Sequence, residues 1–373
     1  MDRREFISIV GGASTMLLVA GGISSCVGTY RPKLINKVWN EKFDFKTDDR
    51  LIRTLQLVRC GIMAPSSYNT QPWLFRIIDN GIELLPDFSR SLPVADSKNR
   101  ELFISLGCCL GNILSAAPKF RFHADYSVDI QPGSENIKIL IKLEDKKDIT
   151  SGSHDIFPSI IERRTTRSLY TQKNVGPDII KSFSEDILPN QVAVSVNKDK
   201  KDYDIFLDYL KEANRLLYEN KNYTDELKKW MRFSDAETEE KLDGLYSRAM
   251  GENSTTRALG NMYFDLFITP ATRNQSDEKM INSSSALISF FSKESISDWI
   301  ETGRQIEHTL LNITKSGIKY AFHNQSCQVE VLRKDFASDF NHKGLMPQSV
   351  IRIGYADYLP RAPRRQVKDV IIK

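Results

Sequence analysis

The chain has 373 residues, 52 Lys and Arg against 48 Asp and Glu, a net charge of +4, 27% charged residues and 10% aromatic residues. That balance excludes a disordered chain and predicts a globular one, and a surplus of +4 is too small to argue for a nucleic-acid partner. The five cysteines and five histidines show no CxxC and no metal-ligand spacing, so no metal site is expected.

The N-terminus reads Asp2-Arg3-Arg4-Glu5-Phe6, then a charge-free apolar run to Ile23, then Ser24-Ser25-Cys26. The run holds eighteen residues, four of them glycine, whereas a membrane span needs about 20 apolar residues. Paired arginines before such a run resemble a twin-arginine export signal. Ile23-Ser24-Ser25-Cys26 resembles a lipobox in which Cys26 is acylated. The resemblance implies an export signal over 1–26 and a tether over 27–46. It also implies the twin-arginine machinery as a partner, and lipid attachment to a membrane on the periplasmic or cell-surface side. Twin-arginine export carries folded proteins, which suits a cofactor inserted in the cytoplasm.

Thr47 or Asp48 can cap a helix with Leu51, Leu55, Val58 and Ile62 at helical period, ended by Pro65. Asn80-Gly81 between Trp73–Ile78 and Ile82–Leu85 predicts a hairpin. A helix over about 97–117 has Phe103, Leu106, Leu110, Ile113 and Ala117 on one face. Two alternating strands follow, one carrying Phe120, Phe122, Ala124, Tyr126 and Val128, the other Ile137, Ile139, Ile141 and Leu143, joined at Gln131-Pro132-Gly133-Ser134. A helix is expected after Pro177-Asp178. Residues 202–265 are charged and helical in pattern and predict a helical insertion or lid. Ala286–Phe291 reads as a buried strand. A helix with Trp299, Gly303, Ile306, Leu310 and Ile313 ends at Gly317, and a final strand runs from Ser349 to Ala356. A faint repeat relates Gly107-xx-Leu110-x-Asn112 to Gly303-xx-Ile306-x-His308.

Three motifs carry chemistry. Ala64-Pro65-Ser66-Ser67-Tyr68-Asn69-Thr70-Gln71-Pro72-Trp73 is a polar loop between helix and strand, bracketed by prolines and dense in groups that suit a planar polar ligand. Arg163-Arg164-Thr165-Thr166-Arg167 suits a phosphate and polyol, since guanidinium forks bind phosphate oxygens bidentately. Arg361-Ala362-Pro363-Arg364-Arg365 follows the final strand. Taken singly, each is also compatible with an ordinary polar connector or a solvated basic turn.

Together the motifs resemble the nitroreductase superfamily, and their order resembles its single-chain Acg-like branch. The resemblance implies an α+β fold, a mixed sheet sandwiched by helices, and FMN as cofactor. Ser66, Ser67 and Asn69, with Gln71, would contact the isoalloxazine ring. Arg163, Arg164, Thr165 and Arg167 would hold phosphate and ribityl, with Arg364, Arg365 and Arg361 closing on the phosphate and Gln325 near the ring. The loop occurs only in 47–150 and the arginine motif and tail only in 151–373, the part that also contains the 202–265 insertion. The two parts therefore read as fused halves, a pseudo-dimer with one complete FMN site. The flavin would do the redox chemistry, so no catalytic side chain is named. The expected activity is reduction of a small planar acceptor, nitroaromatic or quinone, with NAD(P)H as a candidate donor. The alternative is a flavin-binding protein without turnover, its ring covered by the insertion.

Overall fold

The computed structural model describes residues 34–131, 137–146 and 155–373. The export signal, Cys26 and the Pro132-Gly133-Ser134 turn lie outside these described residues.

The first half begins with α1 (Lys37–Asn40) and α2 (Arg50–Ile62). Asp49, not Thr47 or Asp48, caps α2 by accepting from the Ile52 amide. The expected apolar face is buried only in its later part. Leu51 is exposed, while Leu57, Val58, Cys60 and Ile62 enter the core. Residues 34–46 were expected as part of a tether, but Ile35, Val38 and Trp39 are buried here. Then come the hairpin β1 (Trp73–Ile78) and β2 (Gly81–Pro86), α3 (Arg100–Ala116), β3 (Phe122–Ile130) and β4 (Ile137–Asp145). Phe120 closes a short 3-10 turn before β3 rather than lying in it. The sheet is antiparallel with strand order β1-β2-β4-β3.

The second half runs α4 (Phe157–Glu162), α5 (Pro177–Glu185), β5 (Ala193–Asn197) and α6 (Lys200–Tyr218). Next come α7 (Lys221–Trp230), β6 (Met231–Arg232), α8 (Asp235–Lys241), β7 (Leu245–Tyr246), α9 (Arg257–Phe267) and α10 (Pro270–Asn282). The chain ends with β8 (Ala286–Ser292), α11 (Ile296–Lys315), β9 (Lys319–Phe322), α12 (Gln325–Gln328), α13 (Glu330–Asp339) and β10 (Met346–Gly354). The second sheet is also antiparallel, with order β5-β8-β10-β9. The α+β class expected from the sequence is what the chain adopts. The expected lid is not one unit, however. Phe206, Leu207 and Leu210 of α6 pack on Phe291, Phe336 and Val350, so this helix belongs to the second half's core.

One continuous core joins the halves, from Leu57, Phe75 and Leu106 to Ile306, Leu310 and Ile351. At its centre α3 crosses α11. An added Cβ on Gly107 would lie 2.0 Å from the Ile300 carbonyl oxygen, and one on Gly303 would lie 2.0 Å from that of Ile104. The contact is reciprocal, as across a two-fold axis, and the two glycines of the faint repeat face each other there. Residues 100–120 are long and apolar enough to cross a membrane, but 83% of the stretch's eighteen-residue apolar window is buried inside the protein, so it is a core helix. The C-terminal segment returns to the first sheet. The Phe75 amide donates to Val370 O, and the Ile372 amide donates to Phe75 O, both at 2.8 Å.

Candidate functional site

The loop after α2 turns sharply. Tyr68, Asn69 and Gln71 have φ of 49°, 54° and 54°, a left-handed conformation that non-glycine residues adopt at a cost of about 1–3 kcal/mol each. Ser66 Oγ accepts from the Gln71 amide at 2.9 Å and braces the turn. The result is that Ser66 and Asn69 face one cavity, whereas Ser67 faces away and donates to Glu101 Oε2.

That cavity, of about 70 Å³, lies where the halves meet. The first half contributes Trp39, Pro65, Ser66 and Asn69, and the second half Arg163, Arg164, Thr165, Arg167, Phe322, Pro360, Ala362 and Arg364. Gly244, Leu245, Tyr246, Ala249 and Met250 of the insertion complete the wall. The polar loop, the arginine motif and the tail therefore converge, though they are far apart in the sequence.

The arginines are held differently. Arg163 is buried. Its Nε lies 3.0 Å from Glu307 Oε1, its Nη1 donates to the Tyr320 hydroxyl at 2.5 Å, and its Nη2 donates to Met63 O. Burial would lower its pKa, but Glu307 and Tyr320 outweigh burial and raise it. Arg364 donates to Asn69 Oδ1 at 2.9 Å and to the carbonyls of Met63 and Ala64 at 3.2 and 3.1 Å, and its buried Nε has no partner. Burial, then Arg163, pulls Arg364 down to about 9. Arg167 has no hydrogen bond or ion pair among the described residues. Burial lowers it to about 10, and nearby Arg273 and Arg352 add to that depression. Arg164 stacks on Tyr358 at 4.1 Å. So many cations with so little negative charge between them is a donor set that fits an anion, and the unpartnered groups of Arg167 and Arg364 are where one would bind.

Five expected contacts do not line the cavity. Ser67 joins the buried Arg100–Glu101–Gln328 group. Gln71 bridges the insertion and the tail, donating to Leu242 O and accepting from the Arg365 amide, both at 2.8 Å. Arg365 itself reaches Gln71 O, Asp87 and Asp369 O. Arg361 sits over the Trp39 ring at 5.0 Å, and Gln325 donates to Asp277 at 3.2 Å. A sequence motif identifies a segment, but alternate side chains of a turn face opposite sides. Trp39 and Phe322 were missed, and the 244–250 wall falls within the 202–265 insertion expected as a lid, though none of its residues was named as a contact. Trp39 offered a signal, a lone indole in the lead-in, and its Nε1 donates to Ala362 O at 3.1 Å.

The insertion is fastened over the loop. Asn69 Nδ2 donates to Gly244 O at 3.2 Å, and the Gly244 amide donates to Asn69 O at 3.2 Å. Gly244 has φ of 76°, and an added Cβ would lie 2.4 Å from Trp230 O. Asp243 pairs with Arg232 at 2.5 Å and with Arg90, which also donates to Thr70 O.

No family model matches the chain. Among curated proteins it is similar to two from Mycobacterium tuberculosis strains, MT3217 and Rv3131, both carrying the provisional name NAD(P)H nitroreductase. The identity is 22% over 339 residues, spanning 87% of this chain and 92% of each relative. Among solved structures, the nitroreductase NfnB of Mycobacterium smegmatis in complex with NADPH aligns with a TM-score of 0.37 and 14% identity, over 57% of this chain and 94% of its own. A Desulfitobacterium hafniense nitroreductase with bound FMN gives 0.37 and 10%, over 60% and 99%.

Proposed function

We propose that this protein is an FMN-dependent oxidoreductase of the nitroreductase type, which reduces a small planar acceptor of the nitroaromatic or quinone class with NAD(P)H as donor. One observation carries the reading. Arg163, Arg164, Thr165, Arg167 and Arg364 of one half meet Ser66 and Asn69 of the other in a single cavity. The nitroreductase name of the curated relatives agrees with it.

Bound FMN would supply hydride and electron transfer on its ring. Arg163, Arg164, Arg167 and Arg364 would neutralise the phosphate, with Thr165 on the ribityl side. Ser66 and Asn69 would orient the ring, and Trp39, Tyr246 and Met250 would exclude water. Glu307 positions the Arg163 guanidinium from behind. Ligand pockets are typically about 300–1,000 Å³, so at about 70 Å³ the cavity is closed down. Holding a whole flavin requires the 244–250 segment or the tail to stand further off.

That closure is the observation favouring the second reading, a flavin-binding protein without turnover. The fastening of Gly244 and Asp243 to the loop would shut out an acceptor. Stopped-flow reduction separates the two readings. Bleaching of the flavin by NADPH, and reoxidation by a nitroaromatic or quinone, is expected of the enzyme. Bleaching by dithionite alone would leave only flavin binding.

The reading also takes residues 1–26 as a twin-arginine export signal acylated at Cys26, on sequence grounds. Replacing Arg3 and Arg4 with Lys should trap the protein in the cytoplasm, and Cys26→Ala should release it from membranes. Normal fractionation of both variants would end this part of the reading.

A further inference from the structure

We propose that α9 is a membrane-docking face, seated in the headgroup layer of the bilayer that holds the lipid anchor. This rests on the reading of Cys26 as acylated. The helix is apolar nearly all round. Gly260 lies under the Phe233 ring, and Phe264 packs with Tyr223, Leu227 and Trp230. On the opposite side Leu259, Met262, Tyr263, Leu266 and Phe267 are 51, 53, 50, 63 and 40% exposed. Polar residues are confined to Arg257, Asn261 and Asp265, a narrow stripe at four-residue spacing. An ordinary surface helix turns its polar face outward, and this one turns an apolar stripe outward instead.

The position of the chain's exit points to a bilayer as the occupant. The Leu34 amide donates to Glu239 of α8 at 2.8 Å, and Glu237 of the same helix pairs with Arg257 at the start of α9. The chain therefore leaves toward Cys26 from the substructure that carries the exposed stripe. Eight residue steps separate Cys26 from Leu34, at most about 28 Å of extended chain. An acyl anchor at Cys26 thus holds α9 within reach of the lipid. The face is suited to that layer. Tyr263 and Phe267 place their rings 5.1 Å apart, and aromatic side chains favour the interface.

The test uses the full acylated chain returned from detergent to phosphatidylglycerol-containing vesicles with doxyl-labelled lipid. Met262→Cys receives a bimane label, and Asp125→Cys, on the edge strand β3 of the first sheet, serves as control. The described native cysteines are buried. Lipid quenching of the Met262→Cys label and not of the Asp125→Cys label is expected. In the Cys26→Ala chain, Met262→Glu with Leu266→Glu should cut the residual vesicle binding by about tenfold or more. Flotation without quenching at position 262 would overturn the docking face and leave the anchor standing. Failure to float would overturn the anchor and the docking face together. Unquenched label with Met262→Cys cross-linked between copies would overturn the proposal by giving the face to a second chain.

Discussion

Arg167 is the sharpest residue-level test, because it makes no described bond to the protein while Arg364 makes four. Arg167→Ala should leave the flavin-free protein as stable or slightly more so, since it removes a cation placed near Arg273 and Arg352. FMN affinity should fall about tenfold to hundredfold, the worth of a charged hydrogen bond of about 1.5–3 kcal/mol. Riboflavin, without phosphate, should bind almost unchanged in the same fluorescence titration. Equal losses for both ligands would remove Arg167 from the phosphate site. Glu307 gives a pH signature. Burial, against the pull of Arg163 and Arg364, moves its carboxyl from 4.5 up to about 7. The folded protein then binds a proton that the unfolded chain has released, so this group's contribution to stability is full below about 4.5 and is lost as pH rises through 7. Glu307→Gln should flatten that fall in thermal midpoint between pH 4.5 and 7.5. An unchanged slope would show that Glu307 does not titrate there. At this scale the sequence names the right segments more reliably than the right atoms. Ser66 and Ser67 are equivalent as letters, and only the left-handed turn that follows decides which one faces the cavity.

At the scale of elements, the crossing of α3 and α11 depends on two hydrogen atoms in place of methyl groups. Gly303→Ala would push a Cβ into Ile104 O and force the helices apart. A loss of about 1–3 kcal/mol or more in chemical denaturation is expected, with Gly107→Ala behaving alike because the contact is reciprocal. A neutral result at both positions would mean the crossing relaxes freely. Long periodic elements were readable in the sequence. The Asn80-Gly81 hairpin and the two crossing helices lie where expected. The strands β5 and β9, of five and four residues, escaped because each lies on a sheet edge and carries too little alternation to register. Leu51 misled because an apolar residue at helical spacing cannot reveal which face the core will take. The segment 202–265 looked uniform because charge and helical period do not distinguish α6, buried against the second sheet, from helices that stand clear of it.

For the whole molecule, the complementary placement of the loop and the arginine motif predicts one flavin per chain. Absorbance at the flavin band against protein mass should give a ratio of one, and a ratio of two would contradict the fused pseudo-dimer. The sequence revealed that complementarity because each motif occurs once, and it pointed to the 202–265 insertion as a cover, but nothing local in Gly244-Leu245-Tyr246 marks it as the stretch that forms the wall.

The return of the C-terminal segment to β1 bears on timing. A ribosome delivers the first sheet early and Val370 and Ile372 much later, so the edge beside Phe75 stays open over that interval, and an open strand edge invites pairing with other chains. Arg364, which braces Asn69 and the end of α2, arrives with the same late segment. Neither the sheet edge nor the cavity is complete before residues 364–372 are in place. A cofactor held by both halves is therefore enclosed only once this late segment has docked on the first sheet.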